Sequence, residues 1–163
     1  MDSEEELDRI LRRLIGDYMK PIYTSHLRQT ISCPCRRETR VVDENESEVP
    51  DPEESKKEAQ QFVYRDLFLW SILTNRIEMS KVILGHLQTR TCAALIASKV
   101  FKSYLSFASD NESKEILSSH ANQFEEYAIE CLKSCYNYDE NKACEIAIRR
   151  LNIFGGVTCL QVN

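Results

Sequence analysis

The stretch from Phe62 to Lys102 constrains the fold more than any other part of this chain of 163 residues. Its apolar residues recur at helical spacing. Breaks at Thr74-Asn75 and near Gly85–Gln88 divide the stretch into three short helices. The chain contains only four Gly and four Pro, fewer than the turns of an all-β protein would need. The stretch therefore predicts a helical protein.

The first of these helices, from about Ala59 to Thr74, carries apolar residues on nearly every face, which is typical of a central, buried helix. Asn75 and Glu78 predict an N-terminal cap and a capping box for the second helix. The third helix starts near Thr91, and its alanine-rich face permits close packing against a neighbour.

Helical periodicity also occurs on the N-terminal side of this stretch. We expect a helix from Glu4 to about Met19, with Ser3 and Glu6 as a capping box and Pro21 as its end. The apolar stripe of this helix must be covered, either by the later helices or by parts of the protein outside this chain.

On the C-terminal side, we expect a helix from about Glu112 to Tyr136 and another that Asp139 caps and Gly155-Gly156 stops. The apolar seam of the first has heptad-like spacing, which fits either a bundle-packing face or a short coiled coil. Its residues are Leu117, Ala121, Phe124, Ala128, Cys131 and Cys135. The segment Thr158–Val162 has the pattern of one further helical turn, so we expect a chain truncated at its C-terminus.

These patterns predict an all-α fold of stacked helix hairpins, α-solenoid-like, with about six helices. Residues 1–20 form an N-terminal amphipathic helix, residues 21–58 a disordered acidic linker, and residues 59–163 the helical domain. The linker contains a dense acidic run from Asp43 to Glu58, which cannot bury enough apolar surface to offset the entropy of ordering it.

Charge and hydropathy exclude several classes of function. The net charge of −5 argues against a nucleic-acid partner, which would require a clustered positive surface. The best candidate for a membrane span, Leu67–Asn75, is far shorter than the roughly 18 residues that a span requires. The N-terminal sequence is acidic where a signal peptide would be basic. We therefore expect this chain, taken alone, to be cytosolic.

The seven cysteines form no disulfide framework, and in a cytosolic chain we expect them to be reduced. Five lie on or beside apolar helix faces and are interpreted as small buried hydrophobes: Cys92, Cys131, Cys135, Cys144 and Cys159. Cys33 and Cys35 lie beside Arg36-Arg37, which could lower a thiol pKa. The alternatives for this pair are two free thiols in a loop, or a metal or redox site, which stoichiometric zinc in purified protein would support.

The chain carries no pattern of an enzyme. Its three histidines, His26, His86 and His120, are far apart in sequence, and it has neither a Gly-rich phosphate loop nor a nucleophile motif. His120 is interpreted as a packing or surface residue. We therefore predict no catalytic, cofactor-binding or metal-binding residues and no cofactor.

Four blocks of sequence, in the same order, resemble the cytosolic helical region of melastatin-type transient receptor potential (TRPM) cation channels. Arg65–Ile83, RDLFLWSILTNRIEMSKVI, and Thr91–Lys102, TCAALIASKVFK, are similar to two consecutive family motifs. Phe124–Ala143 and Gly156–Val162, GVTCLQV, are similar to two later ones. The chain departs from the family pattern at Phe154, where a Trp is usual.

The resemblance implies a cytosolic structural and coupling segment of a tetrameric, calcium-permeable cation channel of the plasma membrane. Its partners would be other regions and subunits of that channel. The pore and ligand sites of the family lie outside these blocks, so the resemblance carries over no binding residue. The alternative is a short soluble isoform that binds full-length subunits and modulates their assembly or gating.

Overall fold

The computed structural model describes residues 3–24 and 52–162, and in those ranges the regular structure is helical. The predicted all-α class is therefore confirmed. The α-helices are α1 (Ser3–Ile15), α2 (Pro52–Leu73), α3 (Ile77–His86), α4 (Arg90–Leu105), α5 (Asn111–Tyr138), α6 (Glu140–Ile148) and α7 (Cys159–Val162). A short 3-10 helix, Asn152–Phe154, lies between α6 and α7.

Helix α4 lies at the centre of the fold and contacts α1, α2, α3, α5 and α7. Small side chains at Ala93, Ala94 and Ala97 are fully buried and allow these neighbours to approach closely. The expectation that the helix ending at Thr74 is the central one is wrong. One face of α2 is open to solvent, because none of the helices packed around α4 covers it.

Two consecutive residues of α4 bind the C-terminal ends of its neighbours. The Ser103 hydroxyl donates to the Leu14 carbonyl of α1 at 2.6 Å. The Tyr104 hydroxyl donates to the Leu73 carbonyl of α2 at 3.2 Å. The last carbonyls of a helix have no intrahelical partner, so these bonds satisfy groups that would otherwise be left unpaired.

Helix α1 ends at Ile15, earlier than Met19 and well before the proline that was expected to end it. Gly16 follows with φ of +143°, a conformation that favours glycine, and turns the chain away from the helix axis. Of the two alternatives for covering the apolar stripe of α1, the structure shows the first: the later helices cover it. Leu11 and Leu14 join the same core as α4.

The boundaries of α2 and α3 differ from those expected. Helix α2 begins at Pro52, so residues 52–58 belong to a helix rather than to the predicted linker, residues 21–58. At the N-terminal end of that predicted linker, Ile22 is buried. The remainder of the predicted acidic linker, residues 25–51, lies outside the described residues.

Asn75 does not cap α3, and the predicted capping box with Glu78 is wrong. The backbone of Asn75 is left-handed, with φ of +57°, and the Asn75 N–H donates to the Ile72 carbonyl at 3.2 Å. Asn75 therefore ends α2, because asparagine tolerates this conformation better than most residues. The residue before α3 is Arg76, which makes no side-chain cap bond.

The predicted cap at Asp139 is confirmed, since its carboxylate accepts from the Lys142 N–H at 3.1 Å. Helix α6 nevertheless ends at Ile148, before the glycine pair that was expected to stop it. Leu151 forms a β-bridge with Val157 instead of continuing the helix, and this bridge closes a turn that buries Phe154. The single turn expected within Thr158–Val162 is present as α7.

The heptad-like seam of α5 is a bundle-packing face. Ala121, Phe124 and Ala128 are buried in the common core. The Phe124 ring stacks on Phe101 of α4 at 5.8 Å between centroids and meets Phe68 of α2 edge-on at 6.5 Å. The seam of α5 is therefore filled by side chains from α2 and α4 of the same chain.

Replacing Gly155 by Ala should destabilise the fold. Gly155 has φ of +68°, and a Cβ there would lie 2.3 Å from the Lys20 carbonyl oxygen. Strain and overpacking together should lower the free energy of unfolding by about 2–4 kcal/mol, measured by urea denaturation. Gly85→Ala is the matched control, because a Cβ at Gly85 on α3 meets nothing within 4 Å. It should raise stability by about 0.5–1 kcal/mol, and equal losses in both variants would contradict this account.

Candidate functional site

The candidate site residues are only partly within the described ranges. Cys33, Cys35 and His26 lie outside the described residues. His86 is exposed and stacks on Tyr64 at 5.1 Å between ring centroids. Among the residues that the structure describes, no group of three or more His, Cys, Asp and Glu side chains is placed to hold a metal ion.

His120 packs against the core, in line with its interpretation as a packing or surface residue. Its ring meets Phe101 edge-on at 5.6 Å, and its Nδ1 atom is buried without a hydrogen-bond partner. Burial, with a smaller contribution from Lys81, lowers the pKa of His120 below its usual value. The neutral ring therefore acts as an apolar packing surface.

The five described cysteines are free thiols with different environments. Cys92 and Cys159 are buried, as predicted, and Cys131 and Cys135 are partly buried. Cys144 is exposed, so its prediction as a buried hydrophobe is wrong. It lies next to the buried Ala143, on the solvent side of the short helix α6.

The most constrained polar site is built around Arg65, whose side chain is only 3% exposed. Its Nε and Nη2 atoms donate to Asp66 Oδ1 at 2.8 and 2.7 Å, and its Nη1 donates to the Ile153 carbonyl at 3.2 Å. The guanidinium also lies over the rings of Tyr23 and Phe62, 5.4 and 5.1 Å from their centroids. We call these five residues the arginine cluster.

The Tyr23 hydroxyl completes the cluster by donating to Asp66 Oδ1 at 3.1 Å. Burial, followed by the neighbouring Asp66 carboxylate, raises the pKa of Tyr23 above its usual value. The phenol therefore stays protonated and remains a donor. A buried arginine is costly to desolvate, but here its fork donates to two acceptors and its faces are covered by two rings.

A buried carboxylate on α1 holds the chain next to this cluster. Asp8 accepts from the backbone N–H groups of Ile22, Tyr23 and Thr24 at 2.8 to 3.2 Å, and also from the Thr24 hydroxyl at 2.9 Å. Ordinary side chains make far fewer such bonds. Asp8 thus holds the turn at residues 22–24 in the position where the Tyr23 ring lies against Arg65.

A second connection runs from the same turn to the C-terminal loop, where the Lys20 N–H donates to the Gly155 carbonyl at 2.9 Å. Arg65 reaches that loop as well, at the Ile153 carbonyl. The cluster therefore joins α1, α2 and the segment between α6 and α7, which are far apart in sequence. This arrangement can hold three segments together, since the Arg65 guanidinium donates both to Asp66 and to the Ile153 carbonyl while Tyr23 donates to the same carboxylate.

One feature of the sequence points to this site, although helical periodicity alone does not single it out. Arg65 and Asp66 are adjacent charges within Phe62–Leu73, a stretch whose other residues are largely apolar. A charged residue on such a helix must have a partner if it is buried. Its acceptors on distant segments, however, could not be identified from periodicity.

An open groove of about 950 Å³ lies between α1 and this turn. It is lined by basic and acidic side chains together, including Arg12, Arg13, Lys20, Glu5 and Asp17. Arg9, also in the lining, pairs with Glu6 at 2.8 Å. The groove therefore concentrates neither sign of charge and is not assigned a ligand.

The exposed face of α2 is the second feature with functional potential. Val63, Leu67 and Trp70 are 56%, 41% and 51% exposed and follow one another at helical spacing. They form one apolar stripe, which we call the α2 face. Large side chains in a stripe of this kind mark interaction surfaces more often than isolated exposed ones do.

Two further observations define the class of protein. Within residues 3–24 and 52–162, no helix is both long and apolar enough to cross a membrane. The described arginine cluster connects α2 with the turn after α1 and with the loop before α7. The described part of the molecule is thus an all-helical domain.

The profile of the TRPM2-like domain family matches residues 2–163, and the chain belongs to this family. It is 29% identical to transient receptor potential cation channel subfamily M member 2 of Mus musculus, with 94% of this chain and 10% of the relative covered. The same channel of Rattus norvegicus is 30% identical with the same coverage. The subfamily M member-like 2 channel of Nematostella vectensis is 33% identical over 61% of this chain and 7% of its own length.

The predicted TRPM resemblance is therefore confirmed. The chain spans about a tenth of the length of the two rodent relatives, since 10% of each is covered.

Removing the guanidinium should destabilise the fold. Arg65→Ala removes the guanidinium donors from Asp66 and from the Ile153 carbonyl and should lower the free energy of unfolding by about 2–4 kcal/mol. Arg65→Lys should lose about 1–2 kcal/mol, because an ammonium cannot make the two-sided fork. Urea denaturation measures both. Exposed Arg150→Ala is the control and should change stability by less than about 0.5 kcal/mol; an equal loss there would show that the cluster contributes nothing specific.

Proposed function

We propose that this chain is a cytosolic structural and coupling segment of a TRPM-like, calcium-permeable cation channel in the plasma membrane, with the pore in other parts of the protein. The relatives that share this segment are named as cation channels. The described helices include no membrane-spanning candidate, which supports a role outside the pore.

The arginine cluster is the observation that carries the coupling role. A displacement applied at α1 reaches Ile22–Thr24 through the Asp8 carboxylate. From there it passes through Tyr23 and Arg65 to α2 and to the loop before α7. A segment held by hydrogen bonds at both ends moves as one body, so it is suited to passing a shift between the regions that flank it.

The α2 face is where we propose that other regions or subunits of a tetrameric channel contact this segment. The matched relatives are about ten times longer than the chain, so most of the surface available to cover this face belongs to the rest of such a protein. Burying an exposed stripe of this kind typically contributes about 25 cal/mol per Å² of apolar area.

The same face supports a second candidate function. A short soluble isoform could use Val63, Leu67 and Trp70 to bind full-length subunits and so modulate their assembly or gating. In this second candidate the α2 face is again the binding surface, but it belongs to a short isoform and not to a channel subunit.

Trp70→Glu tests the contact. Because Trp70 is half exposed, the substitution should change the stability of the isolated chain by less than about 0.5 kcal/mol. In the longest protein encoded by the gene, it should reduce co-purification of differently tagged subunits and the calcium current across the cell membrane. Tyr138→Glu, at a fully exposed aromatic at the end of α5, is the matched control and should leave both unchanged.

The outcomes separate the proposals. Unchanged assembly and current in the Trp70 variant would overturn the contact at the α2 face. A transcript whose frame continues past the codon for Val162 into apolar spans supports the channel segment. An abundant natural message that stops after Asn163, with a product that captures full-length subunits through Trp70, supports the soluble isoform instead. A gene with no apolar spans at all would overturn both.

A further inference from the structure

Helix α3 carries a second exposed stripe. Met79 and Val82 are 43% and 66% exposed, and His86 is exposed as well. The three residues follow one another at spacings of three and four, so they lie on one side of α3. We call them the α3 stripe.

The α3 stripe lies beside the α2 face. The Ser80 hydroxyl, near the start of α3, donates to the Ser71 hydroxyl, late in α2, at 2.9 Å. The His86 ring, at the end of α3, stacks on Tyr64, earlier in α2, at 5.1 Å between centroids. The two helices therefore run antiparallel, and the ring contact joins the α3 stripe to α2 on the solvent side. The α2 face and the α3 stripe thus border one shallow surface, which we call the α2–α3 groove.

A lysine and an arginine lie at the two ends of this groove. Lys56 is one heptad before Val63 and is therefore on the same side of α2, and Arg76 lies between the end of α2 and the start of α3. Both are exposed, and neither forms an ion pair with a carboxylate of the described residues. Glu78, close to Arg76 in sequence, is already paired with Lys81 at 3.0 Å. The two cations are about 25–30 Å apart along α2, which is the length of a helix of about 18 residues.

We propose that the α2–α3 groove binds an amphipathic helix whose apolar stripe lies between acidic ends. Two antiparallel helices with exposed apolar stripes form the kind of groove into which such a helix lays its apolar face. Acidic residues at the ends of the partner meet Lys56 and Arg76, whereas basic residues there are repelled. The proposal rests on the contact proposed above at the α2 face, and it adds the secondary structure and the charge of the partner.

Charge favours this partner over the two other occupants that an apolar groove could take. The chain has a net charge of −5, so an anionic membrane surface would repel most of it. A second copy of the chain would bring its own Lys56 and Arg76 to the interface, because a twofold pair uses the same surface on both molecules. The ends of two facing grooves would therefore place like charges together.

Trp70 provides the measurement, because it is the single tryptophan of the 163-residue chain and is half exposed in the groove. Three synthetic helical peptides of about 18 residues, without tryptophan, carry the same leucine stripe and end in glutamates, in lysines or in glutamines. Each is titrated into the whole chain, and the emission of Trp70 should shift to shorter wavelength when the ring is covered. The glutamate peptide should bind about tenfold more tightly than the lysine peptide, and about 0.5 M salt should remove most of this difference.

Variants identify the side chains responsible. The double substitution Lys56→Glu and Arg76→Glu should reverse the preference in favour of the lysine peptide. Val82→Glu should weaken the binding of all three peptides about tenfold, because it places a charge on the α3 side of the groove. These positions are exposed, so urea denaturation should show a change of less than about 0.5 kcal/mol for each substitution. Lys133→Glu, at an exposed position on α5, is the control and should leave the preference unchanged.

Equal affinity for the glutamate and lysine peptides would overturn the proposal, and so would unchanged binding in the Val82 variant. A shift of Trp70 emission with phosphatidylserine–phosphatidylcholine vesicles but with no peptide would overturn it in favour of a membrane. Dimerisation of the chain alone in analytical ultracentrifugation, abolished by Trp70→Glu, would overturn it in favour of a second copy. If no peptide binds but Trp70→Glu still reduces co-purification of subunits, the contact at the α2 face stands and the acidic helix is rejected.

Discussion

The close packing of α4 against its neighbours is the constraint on which the rest of the structure depends. Most residues of α4 between Thr91 and Phe101 are buried, and alanines at positions 93, 94 and 97 face its neighbours. Backbones can approach one another there, and the aromatic rings of Phe101 and Phe124 fill the wider space at one end. A larger side chain at Ala93 or Ala97 would have to displace a whole helix, because protein interiors are packed as densely as organic crystals.

The buried Arg65 adds directional hydrogen bonds to this apolar packing. Apolar contact alone fixes distances between helices but permits sliding, whereas the Arg65 fork is satisfied at one position only. Together with the Asp8 carboxylate, it determines where the chain after α1 and the loop before α7 lie relative to α2. Reversing the positions of Arg65 and Asp66 would keep the composition but lose these bonds.

Sequence periodicity predicted the helical class, α3 and α5, the seam centred on Phe124, and the Asp139 cap, because each depends on residues a few positions apart. It assigned the central position to the wrong helix, since whether an apolar face such as that of Trp70 is covered depends on its neighbours and not on the helix itself. Asn75 was misassigned because one side chain fits both a cap and a left-handed helix end. The arginine cluster was missed because its members come from three distant segments.

The paired bonds from Ser103 and Tyr104 also set the register of the molecule. Adjacent residues of one helix bind the final turns of α1 and α2, so a slip of α4 by a single residue would break both bonds at once. These two bonds position α1 relative to α2 through α4, in addition to the link through Tyr23 and Arg65. An insertion or deletion within α4 would therefore disturb the ends of α1 and α2 together.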